Sequence, residues 1–214
     1  MINIKNKNVR NRTVINGFGT NIIEGNGEIV TQSRLTKEFT SVIVEGSVDV
    51  NITCCVNPYL EIIGDSNVIN LISTTIKLGV LHIECKGSFS IQKPIIVNCS
   101  TYILTEASVR GSGDIAMFDL DQEQLSLCVQ GSGDISSTGK IKRLKAVVQG
   151  SGDIDCSDLY ALMSDVAVHG SGDIRVFSTD MLTAECLGSG DIKVYGNPQK
   201  RNVREIGSGK VKFR

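Results

Sequence analysis

The 214-residue sequence contains no tryptophan, three prolines and two histidines, and aromatic residues make up only 5% of it. The core of the folded protein must therefore be built from aliphatic side chains. Because glycine is frequent, at 22 residues, while proline is rare, collagen-like and polyproline-rich chains are excluded. No apolar run reaches the roughly 18 residues of a membrane span, and the N-terminal residues lack the apolar core of a signal peptide. We expect a protein without a membrane span that is made in a cytoplasm.

The net charge of −1 is small and excludes the strongly basic character of nucleic-acid-binding proteins, so we expect no nucleic acid partner. The charge is nevertheless uneven. Residues 1–37 carry six Lys or Arg against two Asp or Glu, residues 193–214 carry seven against one, and the segment between them carries nine against twenty. One interpretation is that the basic ends discourage strand pairing between molecules. The second is that the basic C-terminal segment docks on an acidic surface. The side chains that the second interpretation makes candidates for partner binding are Lys200, Arg201, Arg204, Lys210, Lys212 and Arg214.

Seven cysteines are present, an odd number, and none of them forms a CxxC pair. Most stand among Val, Ile and Leu, where a free thiol packs as a small hydrophobic side chain. We predict that all seven are reduced, which is typical of a cytoplasm, and a disulfide scaffold is the alternative. With only two histidines, a zinc site of ordinary spacing is not expected, and nothing else in the sequence indicates a cofactor.

The strongest feature of the sequence is an internal repeat. The pentapeptide Gly-Ser-Gly-Asp-Ile occurs five times, and a sixth copy reads Gly-Ser-Gly-Lys-Val. Successive copies begin 20, 19, 20, 18 and 19 residues apart. Apolar and polar residues alternate on both sides of each copy, which predicts a half-buried strand, a tight corner and a second half-buried strand. The six copies begin at Gly111, Gly131, Gly150, Gly170, Gly188 and Gly207.

A unit of about 19 residues cannot bury its apolar face alone, whereas stacked copies can. If like positions stack, the isoleucines that follow each aspartate form an inward ladder with steps of about 4.8 Å. We therefore predict an all-β fold: a parallel β-solenoid with coils of about 19 residues, preceded by an irregular β-rich half. The ladder consists of Ile115, Ile135, Ile154, Ile174 and Ile192.

These patterns divide the chain into three segments. Residues 1–38 are polar and are expected to form an N-terminal arm or lead-in strands. Residues 39–105 are β-rich without a strict repeat, and residues 106–214 form the regular solenoid. The second and third segments are continuous, so that we expect residues 39–214 to be one domain.

Two local features stand out in the irregular half. The segment Gly46–Val50 reads as a worn copy of the later corner, with Asp49 at the place of the repeat aspartate. Residues 65–72 are expected to contain a helical turn, with Asp65 or Ser66 as its N-cap.

Further motifs stand in a fixed order before the repeats. They are Arg34 and Phe39, then Val42-Ile-Val-Glu-Gly-Ser-Val-Asp-Val50, Leu60-Glu-Ile-Ile-Gly-Asp65 and Gly79-Val-Leu-His-Ile83. Together with the Gly-Ser-Gly-Asp-Ile corners, these residues make the chain from Gly27 onward resemble the head GIN domain, a family called putative auto-transporter adhesins. The resemblance implies a right-handed β-helix-like fold, an adhesive role at a cell surface and no established catalytic residues.

One aspartate per repeat should stack on the next, and like charges about 5 Å apart repel one another. Each carboxylate can be compensated by backbone N–H groups of its own or the next corner. The alternative is a weak cation site, or an acidic strip that faces a basic partner. The column, which Asp49 would extend, consists of Asp114, Asp134, Asp153, Asp173 and Asp191.

The segment His169-Gly-Ser171-Gly-Asp173 contains the residue types of a catalytic triad. Other repeats carry different residues at the place of His169, so we expect no catalytic residues and no enzyme. The leading hypothesis is a non-enzymatic adhesin-like binding or structural module, whose partner is a protein or glycan surface or its own subunits. The alternative is a virion or phage assembly or decoration protein made without a leader. A polysaccharide-acting β-helix enzyme is the least favoured, and any oligomer is expected through the side or the first half.

Overall fold

The computed structural model describes residues 13–15 and 21–214, with side chains from Ile22 onward. The expected N-terminal arm therefore lies partly outside the described residues. Within the described part, the chain forms eighteen β-strands and one short 3₁₀ turn. The elements before the repeats are β1 (Thr13–Ile15), β2 (Asn21–Glu24), β3 (Ile29–Ser33), β4 (Ser41–Gly46), β5 (Asp49–Cys54), β6 (Leu60–Asp65), η1 (Ile69–Leu71), β7 (Ile72–Lys77), β8 (Val80–Cys85), β9 (Ser88–Ser90), β10 (Ile96–Thr101) and β11 (Glu106–Gly111). The elements of the repeats are β12 (Ile115–Val129), β13 (Ile135–Val148), β14 (Ile154–Val168), β15 (Ile174–Cys186), β16 (Ile192–Tyr195), β17 (Lys200–Glu205) and β18 (Val211–Phe213).

Most strands belong to one sheet of fifteen strands, and β1, β2 and β9 form a separate small sheet. The main path of the large sheet runs β18-β16-β15-β14-β13-β12-β11-β4-β8-β7. A second branch leads from β12 through β5, β10 and β6 to β3, while β17 pairs with β15. The described pairs of this sheet are parallel except where β6 meets β10 and β3 and where β7 meets β8. The protein is therefore an all-β fold with a large, mostly parallel sheet.

Successive repeats pair with like positions opposite each other. The isoleucine of each repeat lies opposite the isoleucine of the next, from Ile115 to Ile192. These five side chains are at most 1% exposed. The ladder continues backward to Val50 in β5 and forward to Val211 in β18. The inward ladder expected from the sequence is therefore present.

The corners stack so closely that their glycine positions leave no room for a Cβ atom. A Cβ atom on Gly152 would lie 2.1 Å from the carbonyl oxygen of Gly133, and one on Gly133 would lie 2.1 Å from that of Gly113. These glycines are therefore required by the close approach of two backbones. Among the described corners, a glycine has a positive φ only at the first and the last, where Gly46 has φ 108° and Gly207 has φ 118°.

A second bend follows the first few residues of each long repeat strand, and it is less regular than the corner. The pairing register shifts there, between Met117 and Leu120 in β12 and between Cys156 and Tyr160 in β14. Asp119, in the first of these bends, has a positive φ of 58°. Differences in repeat length are therefore taken up at this bend, which leaves the corners in constant register.

The irregular half, residues 39–105, stacks on the first repeat through the segment Gly46–Val50. Strand β4 pairs in parallel with β11, which sets Gly46 opposite Gly111. The backbone N–H of Asp114 donates to Oδ1 of Asp49 over 3.2 Å, as in the later corners. The segment Gly46–Val50 is therefore a corner of the same kind, as its sequence predicted.

The helical turn expected at residues 65–72 is shorter than predicted and is capped differently. Its N-cap residue is Val68, whose side chain makes no capping hydrogen bond, so the assignment of Asp65 or Ser66 as N-cap was wrong. The carboxylate of Asp65 instead accepts a hydrogen bond of 2.5 Å from the backbone N–H of Gly27. A distant segment thus competes for the carboxylate that would otherwise cap the turn.

Arg34 holds this turn against the sheet. Its guanidinium donates to the carbonyl oxygens of Ile69, over 3.1 Å, and of Ile72, over 2.6 Å. A third bond, of 3.0 Å, reaches the hydroxyl of Thr74. Because these carbonyls belong to the first residue of η1 and the first residue of β7, Arg34 satisfies backbone acceptors of both elements.

Replacing Ile154 by alanine tests the ladder. Ile154 is fully buried between Ile135 and Ile174, so the substitution leaves a cavity that the stacked backbones cannot close. We expect the free energy of unfolding, measured by urea denaturation, to fall by about 2–5 kcal/mol. Ser151→Ala, at an exposed position of the same repeat, is the control and should change it by less than about 0.5 kcal/mol. Equal stability of the two variants would contradict the ladder.

Candidate binding surface

The predicted aspartate column is joined by hydrogen bonds from one repeat to the next. Oδ1 of each aspartate accepts the backbone N–H of the aspartate that follows it along the column. The N–O distance is 2.7 Å both from Asp153 to Asp134 and from Asp173 to Asp153. At the last corner Lys210 donates its backbone N–H to Asp191 over 2.9 Å. Backbone donors therefore offset the repulsion between stacked carboxylates.

The aspartate column and the basic C-terminal segment, predicted separately, meet in the structure. Nζ of Lys212 contacts the outer oxygen Oδ2 of Asp191, and Nζ of Lys193 lies 3.1 Å from Oδ2 of Asp173. The hydrogen bond from Lys212, together with the backbone N–H of Lys210, lowers the pKa of the Asp191 carboxyl. Part of the basic segment therefore neutralises acidic side chains of the same chain.

A cation site at the column would need several acidic groups close together. Within the residues that the structure describes, no three His, Cys, Asp or Glu side chains are arranged to share a metal ion. At Asp114, Asp134 and Asp153, one carboxylate oxygen already accepts a backbone N–H. A weak cation site at the column stays a prediction.

Two other basic side chains of the C-terminal segment pair with glutamates. Arg204 lies 2.7 Å from Glu185 of the preceding repeat, and Lys210 lies 3.5 Å from Glu205. Glu205 also accepts the backbone N–H of Val211 over 2.6 Å. Glu205, which lies opposite the buried Cys186 of the preceding repeat, thus closes the last repeat by local hydrogen bonding.

The remaining basic candidates lie at the outer edge. The guanidinium of Arg201 lies over the ring of Phe213, 4.0 Å from its centre. Within residues 22–214, the side chains of Lys200 and Arg214 make no hydrogen bond or ion pair. All six residues of β17 are exposed. Lys200 and Arg214 therefore remain the candidates for contact with a partner.

The triad residue types near His169 are not assembled into a catalytic unit. Nε2 of His169 lies 3.9 Å from Glu185, whereas the Asp173 carboxylate binds Lys193 and the backbone of Asp191. The histidine and the aspartate therefore take part in separate contacts between repeats.

A surface feature that the sequence analysis missed runs across the repeats. Three depressions lie there, with volumes of about 680, 360 and 220 Å³. The first and second share Thr105 and Gln124, and the second and third share Asp165. Because neighbouring depressions share lining residues, we call the three together the trough, which extends from Tyr160 at one end to Arg204 at the other.

Apolar side chains are concentrated at the first end of the trough. Ile103, Tyr160 and Leu162 are 53%, 56% and 42% exposed. The ring of Tyr160 packs edge-on against Phe177, with ring centres 4.7 Å apart. A tyrosine at an outward position of a regular repeat is a signal that the sequence offered, because the chain has only four tyrosines.

Charged side chains stand beside the apolar ones because parallel register aligns outward positions of three strands. Asp121, Lys140 and Tyr160 form one row across β12, β13 and β14. Two residues further along, Glu123 and Lys142 form an ion pair of 2.6 Å. The trough thus presents carboxylates, ammonium groups and an aromatic ring within a few strand spacings.

The rim at Ile103 is fixed by a side-chain amide. Leu104 donates its backbone N–H to Oε1 of Gln122 over 3.1 Å, and Nε2 of Gln122 donates to the carbonyl oxygen of Leu104. The amide of Gln122 therefore pairs with the preceding segment as a strand backbone would. Gln122 stands in the same row as the buried Ile141 and Ala161, and the sequence does not show which distant segment lies beside it.

All seven cysteines are free thiols. Cys55 is exposed, whereas Cys54, Cys99 and Cys156 are buried. Burial raises the pKa of each of these three thiols to about 12. The buried thiols therefore pack as hydrophobic side chains and are poor nucleophiles.

Repeats that pair in parallel within one large sheet define an all-β repeat protein. The chain belongs to the family described as "putative auto-transporter adhesin, head GIN domain", whose model matches residues 38–198. The family resemblance noted from the corners and the motifs before them is therefore confirmed. No curated protein matches the chain. Among the described residues, no helix has the length and apolar character to cross a membrane.

Two crystal structures share this fold. One is of a putative adhesin from Bacteroides fragilis, which is 22% identical, with a TM-score of 0.75, and the match covers 90% of this chain and 100% of that one. The other is of a putative lipid binding protein from Parabacteroides distasonis, which is 21% identical, with a TM-score of 0.61, covering 90% and 99%. At these identities the likeness shows the fold alone. The comparisons give the virion alternative no support.

Lys212→Met tests the link between the basic segment and the aspartate column. The lowered pKa of Asp191 means that its charged form stabilises the fold above the ordinary value of 3.8, and that this contribution is lost as the pH falls through the lower folded-state pKa. Without Lys212, we expect the pKa of Asp191 to rise, measured by carboxyl ¹³C NMR. Lys142→Met, which removes the partner of Glu123, is the control and should leave Asp191 unchanged. An unshifted Asp191 in Lys212→Met would refute the link.

Thiol labelling tests the state of the cysteines. In the native protein at pH 8, iodoacetamide should label Cys55 first, because it is exposed, and should spare Cys54, Cys99 and Cys156. Mass spectrometry should show that Cys55→Ser removes the fast label. In denaturant without reductant, all seven thiols should react. Five or fewer would reveal a disulfide and contradict the prediction.

Proposed function

We propose that this protein is a non-enzymatic, adhesin-like binding module carried by a parallel β-solenoid with coils of about 19 residues. Residues 39–214 act as one unit. The partner is the surface of a protein or a glycan, which binds at the trough. Membership of the adhesin family supports the adhesive role. The register that sets each repeat opposite the next, from β12 to β16, supports the solenoid.

The observation that carries the proposal is the exposed apolar end of the trough. Ile103, Tyr160 and Leu162 are each about half exposed and lie in one concave surface beside charged groups. Ligand sites are concave, largely apolar and furnished with a few convergent polar groups. Single exposed apolar side chains are ordinary, but several in one depression mark an interaction surface.

Three acidic side chains of the repeats are paired with basic ones. Asp191 is held by Lys212, Asp173 by Lys193 and Glu185 by Arg204. Each pair connects one repeat to the next, so these three carboxylates stabilise the stack of repeats.

A second binding candidate is the basic outer edge. Strand β17 is exposed along its length, and the side chains of Lys200 and Arg214 point to no acidic group among the described residues. An acidic partner, a second copy of the chain included, would dock here and be released by salt. Light scattering should then show association that Lys200→Ser/Arg214→Ser weakens and that 0.5 M salt abolishes by screening (Debye length about 4 Å). Association that resists both changes would exclude this edge.

The adhesin-like function is tested by presenting the biotinylated protein to an array of extracellular matrix glycoproteins and purified glycans. We expect wild type to bind at least one component, and the double variant Tyr160→Ser/Leu162→Ser to lose most of the signal. Leu187→Ser, which changes an exposed leucine outside the trough, should keep the signal. Thermal melting followed by circular dichroism verifies that the variants are folded. An array that wild type leaves unbound contradicts the function, and full binding by the double variant contradicts the site.

A further inference from the structure

We propose that the trough binds an unbranched, uncharged oligosaccharide, with a sugar ring stacked on Tyr160 and the chain extending toward Asp165. This inference rests on the proposed binding function and names the ligand class of the same surface. It goes beyond that function because an adhesin-like module can equally recognise a protein.

The shape of the trough fits a linear ligand. Its three depressions follow one another diagonally across β12, β13, β14, β15 and β17, and each shares residues with the next. Neighbouring strands lie about 4.8 Å apart, so five strands give a length of roughly 20 Å. A depression of this length suits several sugar units in a row, whereas a single compact metabolite would occupy only one of the three parts.

The polar lining fits hydroxyl groups, each of which both donates and accepts a hydrogen bond. Positive donors and negative acceptors stand side by side: Lys140 beside Asp121, and Lys145 beside Asp165 on the neighbouring strand. Within residues 22–214, none of these four side chains has a hydrogen-bonding partner or ion pair in the chain. Their donors and acceptors are therefore free for a ligand.

The charge of the trough is mixed and close to balanced. Besides Lys140 and Lys145 it carries Arg143 and the Glu123–Lys142 ion pair, and it carries the carboxylates described above. A polyanion such as a nucleic acid or a sulfated glycan is held by many cations without interspersed carboxylates. An uncharged ligand with many hydroxyl groups is the better complement to alternating charges.

Tyr160 supplies the platform for a sugar ring. Its side chain is 56% exposed, and the edge-on contact with Phe177 fixes the direction of the ring. The apolar C–H face of a pyranose packs on such a ring, while the phenol hydroxyl remains available for hydrogen bonding. The other large apolar residues that line the first two depressions, Ile141, Leu125 and Leu144, are at most 4% exposed, so they offer little apolar surface to a protein partner.

Isothermal titration calorimetry of the full chain tests the inference. The probes are cellohexaose, xylohexaose, maltohexaose and laminarihexaose, with hexagalacturonate as the charged comparator and phosphatidylcholine vesicles as the lipid comparator. We expect at least one neutral hexasaccharide to bind, and its disaccharide to bind at least about tenfold more weakly, since contacts along the trough are lost.

Two pairs of variants locate the binding. Tyr160→Ala should raise the Kd by about tenfold, and Phe118→Ala, an exposed aromatic at the bend, should leave it unchanged. Asp165→Ala should weaken binding severalfold, and Asp158→Ala, an exposed carboxylate of the same strand outside the trough, should not.

Several outcomes would overturn the inference. They are the failure of all four neutral hexasaccharides, tighter binding of hexagalacturonate or of the vesicles, and affinity that both trough variants leave unchanged. If the hexasaccharides fail while a matrix protein still binds through Tyr160 and Leu162, the oligosaccharide inference is wrong and the proposed function stands. If neither kind of partner binds, both are wrong.

Discussion

Backbone-to-backbone contact between stacked corners is the constraint on which the rest of the structure depends. The carbonyl oxygen of Gly133 would lie only 2.1 Å from a Cβ atom on Gly152, and similarly short distances recur along the stack. Because the corners can approach each other only in this way, like positions of successive repeats lie opposite each other. Isoleucines then stack inside the sheet and aspartates stack outside it, so the same contact creates both the core and a row of like charges.

The row of like charges accounts for part of the positive charge at the C-terminal end of the chain. Oδ1 of each aspartate is satisfied by the next backbone N–H, and this compensation is available at every corner. Lysines add to it at the C-terminal end, where Lys193 and Lys212 reach the outer oxygens of Asp173 and Asp191. Two of the seven basic residues of the C-terminal segment therefore serve the internal stacking of repeats.

The sequence was most informative where structure depends on the repeat period. Burial of Ile154 follows from alternation and from stacking of equivalent positions, and both can be read from spacing alone. The expected N-cap at Asp65 failed because Gly27, 38 residues away, binds that carboxylate. The contact of Lys212 with Asp191 was likewise hidden, since a period shows which residues are equivalent but not which outward side chains reach one another. The trough was missed because residues before the repeats form one of its rims.

The two turns of each repeat differ in how much variation they tolerate. The two glycine positions of each corner admit no side chain, whereas the register shifts that accommodate repeats of 18 to 20 residues lie in the strands between corners, as near Asp119. Variation in length is therefore tolerated at the bends but not at the corners. Loops, epitopes or recognition peptides inserted at bend positions such as Asp119 or Asp158 would project from an unchanged sheet, so this architecture could diversify its outline while its interior stays the same.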